Sequence, residues 1–130
     1  MQRLEAEMLQ RFPELAPQIA YHEDLPYVVM RDLADWLATV PPDQIVPALD
    51  RVRGFVSWCE EQPRSEDASD DIFTILVIGF FEKLLESETL RRFVPTFLTR
   101  EDLERDPAYW QTWVGEENYA KALEQFNATT

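Results

Sequence analysis

Glycine, cysteine, histidine and basic side chains are scarce in this 130-residue chain, and each scarcity removes a class of structure or chemistry. With three glycines against nine prolines, and no Asn-Gly pair or glycine-rich turn, the turn chemistry of hairpins is missing, which argues against a β architecture. The same lack removes any glycine-rich phosphate-binding loop. A single cysteine, Cys59, cannot build an internal disulfide framework, and one cysteine with one histidine, His22, cannot supply the usual zinc-ligand clusters. No serine sits in a nucleophile-elbow motif. No apolar run approaches the ~20 residues of a membrane-spanning helix. Twelve Lys and Arg stand against 25 Asp and Glu, a net charge of -13. Nucleic acid, which is bound through cations near its phosphates, is not an expected ligand, and an anionic membrane surface is disfavoured on the same ground. The N-terminal Met-Gln-Arg-Leu-Glu-Ala-Glu has no apolar signal core, so a cytoplasmic protein is expected.

What is present is a chain of ordinary apolar content, long enough for one domain over residues 1–130. The acidic charge is spread along it, -4 over residues 1–42, -6 over 43–86 and -3 over 87–130, so it belongs to a folded surface and not to an acidic tail. Such a surface attracts and steers a basic partner protein, or serves only to keep the chain soluble.

The most apolar stretch is Asp71 to Leu85, where only Thr74 and Gly79 interrupt the run from Ile72 to Phe81. Its flanks make it a helix. Ser69, Asp70 and Asp71 offer an N-cap and acidic first-turn residues, and Glu82-Lys83-Leu84-Leu85 has the spacing of a last helical turn. Gly79 costs about 1 kcal/mol mid-helix relative to Ala, and its expected use is the close approach of a neighbouring helix. The expected fold is therefore all-α, six to eight helices around a buried central helix at about 70–86, with antiparallel helix pairs.

The remaining helices are marked by apolar stripes and proline stops. Leu4, Met8 and Phe12 mark residues 2–12, and Leu15 and Ile19 a short helix after Pro13. Pro26, after an Asp24 cap, opens a helix to about Val40 with Tyr27, Met30, Leu33, Ala34 and Leu37 inward. Asp43 is expected to cap a helix to about Gln62, carrying Ile45, Leu49, Val52, Val56 and a buried Cys59. Residues 63–69 read as a flexible polar loop. Ser87 caps a short helix that Pro95 breaks, leaving Thr96 to Leu98 as a connector. Thr99 and Asp102 form a capping box, Asp106-Pro107 opens a helix that ends at Gly115, and the last helix follows Glu116 and Glu117 and frays over 127–130.

No catalytic constellation stands out, and no cofactor or metal is expected. Asp32 and Asp35, three apart on one helix, share a face that could hold a divalent cation, and a Cys59–His22 pair has no third orienting group. The aromatic residues are more informative. Tyr109, Trp110 and Trp113 beside Glu116 and Glu117 form a candidate anchor for a basic protein partner, since aromatics carry hot-spot energy. The plainer reading is that these rings close the edge of the core. Trp36, off the centre of its stripe, joins Asp32 and Asp35 as a further candidate.

The apolar run Ile75 to Phe81, ending in Phe81-Glu82-Lys83-Leu84 and preceded by the helix end Trp58-Cys59-Glu60, resembles small, acidic, all-helical bacterial proteins of unknown function, some carried beside toxin genes and regarded as immunity proteins. The resemblance covers about the middle half of the chain and transfers no catalytic residue. It implies a non-enzymatic inhibitor whose acidic surface covers a basic toxin or nuclease. A metal-dependent enzyme using helix carboxylates and a homo-oligomeric structural module are the alternatives, and the oligomeric state stays open.

Overall fold

Caps and prolines divide the chain where their chemistry requires. The computed structural model describes residues 2–67 and 70–128 and is all-α, with no strand among those residues. Ser69, expected to help cap the central helix, and Thr129 and Thr130 of the expected frayed tail lie outside them.

Contacts group the chain into two units, one ending at Phe80 and one starting at Phe81. The first holds α1 (Gln2–Arg11), a 3-10 turn (Pro13–Leu15) leading into α2 (Ala16–Tyr21), α3 (Pro26–Thr39), a 3-10 turn (Pro42–Gln44) leading into α4 (Ile45–Glu60), α5 (Ile72–Leu76) and most of a π-helical turn (Val77–Phe81). The second holds α6 (Glu82–Glu86), a 3-10 turn (Arg91–Phe93), α7 (Val94–Phe97), α8 (Arg100–Glu104), α9 (Pro107–Val114) and α10 (Glu116–Ala128). The expected helix at 70–86 is therefore present over 72–86, interrupted by the π turn.

In the first unit Leu4, Met8, Phe12, Leu33, Leu37, Val52, Phe55, Ile75 and Leu76 are buried. Phe12 is the hub. Its ring meets Phe55 edge-on at 5.7 Å and Trp36 at 5.6 Å, and the Arg51 guanidinium covers both Phe12 (5.2 Å) and Trp36 (5.3 Å). Arg51 is fixed there by a two-pronged bond to Glu14 (2.6 and 2.9 Å) and by donating to the Arg11 carbonyl (2.7 Å). Gly79 sits where α3 presses on the π turn. A Cβ at that position would lie 2.6 Å from Met30 Cβ and 3.0 Å from the Tyr27 carbonyl oxygen, so the close approach expected of this glycine is real. The helix is not buried on every side, because Ile78 remains exposed.

Asp71 caps α5 with a buried carboxylate, 1% exposed. It accepts from Arg64 Nε (3.0 Å) and Nη2 (2.9 Å), the Ser65 amide (3.1 Å), and the Thr74 amide (3.3 Å) and hydroxyl (2.5 Å). The Arg64 guanidinium holds its carboxyl well below the usual carboxylate range, with the Thr74 and Ser65 bonds adding to the effect. Arg64 and Ser65, at the start of the 63–69 loop, are thus tied to the helix that follows.

Two expected caps and one expected stop differ. Asp24 does not cap α3. It takes a left-handed backbone (φ 67°), Leu25 is the N-cap, and no side chain bonds there. Asp43 does not cap α4, because Pro42 starts a 3-10 turn that swallows it and moves the helix start to Ile45. Pro95 does not break a helix. It lies in the first turn of α7, where a missing amide hydrogen costs little, so Thr96 and Phe97 are helical and not a connector.

The second unit is built as its caps predict. Thr99 and Asp102 form the reciprocal capping box, Asp106 accepts from the Tyr109 amide (3.2 Å), and Gly115 ends α9 at φ 93°. Its core contains Leu84, Leu85, Leu90, Val94, Leu103, Trp110, Tyr119 and Ala122. Arg91 is buried and donates to the Leu85 carbonyl (3.0 Å) and to Asn118 Oδ1 (2.7 Å), so a cation satisfies the end of α6. α10 continues through Asn127, whose side chain accepts from Arg100 (3.1 Å). Among the described residues no helix is long and apolar enough to cross a membrane.

Candidate functional site

The candidate residues fall into two places. Tyr109, Trp110, Trp113, Glu116 and Glu117 lie at the α9–α10 corner, where Gly115 turns the chain and α10 folds back on α9. They do not form one aromatic face. Trp110 is 6% exposed and its indole donates weakly to the Asp102 carbonyl (3.4 Å), whereas Trp113, one helical turn on, is 64% exposed. Tyr109 lies between them, edge-on to Trp110 at 5.2 Å and tilted against Trp113 at 6.5 Å, with its hydroxyl donating to Glu82 (2.5 Å). Trp110 is therefore core, as the plainer sequence reading had it, and Trp113 alone presents an indole to solvent. Beside it Glu116 and Glu117 are exposed in the first turn of α10, where the helix dipole favours them. Glu117 is paired with Lys121 (3.0 Å), whose hydrogen bond lowers its pKa.

Trp36, Asp32 and Asp35 meet on α3 in the first unit. They line a hollow of about 340 Å³ with Glu14 and Thr39, and Trp36, Glu14 and Thr39 also line a second of about 400 Å³ reaching Pro41 and Pro47. Trp36 is half-buried and acts as the ridge between the two. The Asp32–Asp35 pair is not arranged as a cation site. Asp32 Oδ2 lies 2.6 Å from His22 Nδ1, and among the described residues no three His, Cys, Asp or Glu side chains converge on a metal position. Cys59 is fully buried and its thiol is pushed up to about 12 by desolvation, so it is no nucleophile, and His22 is engaged elsewhere.

A further hollow, of about 490 Å³, was not legible in the sequence. It joins the start of α3, Asp24 to Val28, with Asp67 and Asp70 from the segment before α5. Its two sides are some forty residues apart in the chain, and neither carries a motif. The one signal was the pairing of exposed Leu25 with neighbouring acid.

Comparison with protein-family models, with curated proteins and with solved structures gives no match.

Proposed function

We propose that this chain is a cytoplasmic, non-enzymatic protein-binding module whose acidic surface covers a basic partner, in the manner of an immunity or inhibitor protein. The observation that supports this reading best is Trp113, an indole 64% exposed beside the carboxylates of Glu116 and Glu117. A tryptophan left in water forgoes a large burial energy that a partner recovers, and an exposed indole followed three and four residues on by exposed carboxylates matches a surface of apolar and basic character. The net charge of -13 steers such a partner and repels nucleic acid. The reading draws its inhibitor form from the resemblance to acidic helical immunity proteins.

The test begins with co-purification of the tagged chain from its native cells and inspection of the adjacent genes for a toxin. A basic protein should co-purify at defined stoichiometry. Trp113→Ala should weaken its affinity by about 2 kcal/mol or more, roughly thirtyfold, while leaving folding stability within ~0.5 kcal/mol. Glu116→Gln with Glu117→Gln should chiefly slow association and flatten its salt dependence. If no basic protein co-purifies and no toxin gene lies adjacent, the reading fails.

A further inference from the structure

The hollow at the start of α3 combines three carboxylates with an apolar wall. Asp24, Asp67 and Asp70 line it together with Leu25, Pro26, Tyr27 and Val28, and no Lys or Arg is among the described lining residues. Its volume of about 490 Å³ falls in the range of pockets that enclose a small ligand or a long side chain, ~300–1,000 Å³. Leu25 is 50% exposed at its lip. We propose that this hollow receives an arginine side chain of the partner protein, with the guanidinium facing Asp24, Asp67 and Asp70 and the aliphatic stem against Leu25, Tyr27 and Val28.

Charge and shape both argue for that occupant. An apolar wall next to carboxylates suits a group with a greasy stem and a cationic head. A bare metal ion makes no use of Leu25 and Val28, and an apolar side chain makes none of the carboxylates. Arginine is favoured over lysine because its planar fork addresses several carboxylates at once and lies flat against a ring such as Tyr27. Burial and the charges of Asp71 and Asp67 raise the Tyr27 pKa, which reports a negative potential at this wall. Arg64, six residues before Asp70, is committed to Asp71 by three bonds. The rim is also held in place. The Asp24 amide donates to Glu5 Oε1 (3.1 Å), the Leu25 amide to the His22 carbonyl (2.9 Å), and Pro26 fixes the next backbone angle. A rim already ordered loses little entropy on binding.

This inference deepens the preceding one, because it rests on the partner being basic, and its test separates the two. The full-length chain is titrated with N-acetyl-arginine amide while backbone amides are followed by NMR. Saturable shifts are expected at the amides of Asp24, Leu25, Tyr27, Val28, Asp67 and Asp70. The neutral isostere N-acetyl-citrulline amide should bind at least tenfold more weakly, as should the arginine amide to an Asp24→Asn, Asp70→Asn double variant. Asparagine tolerates the left-handed backbone at position 24, so that variant retains the loop. An Asp43→Asn, Glu61→Gln double variant, which removes equal charge from other exposed positions, should bind as the wild type does. Shifts spread over the acidic surface and reduced equally by both double variants would overturn the proposal, as would equal binding of citrulline amide. Free arginine should bind more weakly than the amide, because its own carboxylate meets the acidic rim; tighter binding would overturn assignment to a partner's side chain. Arginine-amide binding with no co-purifying basic protein would overturn both readings, because no partner would supply the side chain, and a co-purifying partner with no arginine-amide binding would sink this one alone.

Discussion

The unit ending at Phe80 and the unit starting at Phe81 are held together by different means. The first has long helices, with 14 residues in α3 and 16 in α4, and its interior is an interlocked aromatic and aliphatic cluster around Phe12. The second has helices of 4, 5 and 8 residues in α7, α8 and α9 before the longer α10. Every helix end leaves about four amides or carbonyls without a helical partner, so short helices leave a larger share of backbone to be satisfied by other groups. The second unit meets that demand with side chains. Tyr119 donates to the Leu103 carbonyl (2.9 Å), Asn118 to Val114 (2.8 Å), Trp110 to Asp102, and Arg91 to the end of α6. Where helices are short, side chains take over the backbone groups that helix ends leave open, as Asp71 also does at the five-residue α5 of the first unit.

The contrast can be broken at three points. The largest effect is expected at Gly79 in the packed unit. Gly79→Leu forces atoms onto Met30 and the Tyr27 carbonyl, and should lower the unfolding free energy by roughly 1–3 kcal/mol in urea titrations. A neutral result would mean that α3 can move away, and that tight packing does not define this unit. Next comes Tyr119→Phe in the stitched unit, which keeps the ring and leaves the Leu103 carbonyl without its donor. A loss of about 1 kcal/mol is expected, and no loss would show that stitching is dispensable there. The smallest effect concerns Asp71, the buried carboxylate that departs from the apolar pattern of the first unit. Its folded pKa is depressed, so the stability it contributes is present above the unfolded carboxylate value of about 4 and lost as pH falls below it. The stability gap between wild type and Asp71→Asn should therefore narrow as pH is lowered from 5 toward 2. Because Arg64 is largely exposed, solvent screens part of the pair, and a gap that persists unchanged at low pH would assign the role of Asp71 to geometry alone.

Much of the fold was legible because proline and short polar side chains act locally. The Thr99–Asp102 box, the Asp106 cap and the Gly115 stop need only neighbours within four residues. The misread starts at Asp24 and Asp43 share one cause, a left-handed residue or a proline that set the backbone before the expected cap could act, whereas Pro95, expected to break a helix, lies in the first turn of one. The π turn at Val77–Phe81 has no local signature; it contains Gly79, where α3 comes close. At the candidate site, the spacing of Trp110 and Trp113 gave proximity but not exposure, since which indole is buried depends on what α10 covers. The hollow at Asp24 and Asp70 depends on a long-range juxtaposition that no spacing rule contains.

Cys59 has a practical consequence. As the chain's one thiol, fully buried on α4 and with its pKa near 12, it is silent toward alkylating reagents while the helix is seated. Any reaction must wait for α4 to lift. The protein therefore carries its own opening clock: the rate at which iodoacetamide consumes that single sulfur counts how often the first unit comes apart, without a label and without a mutation.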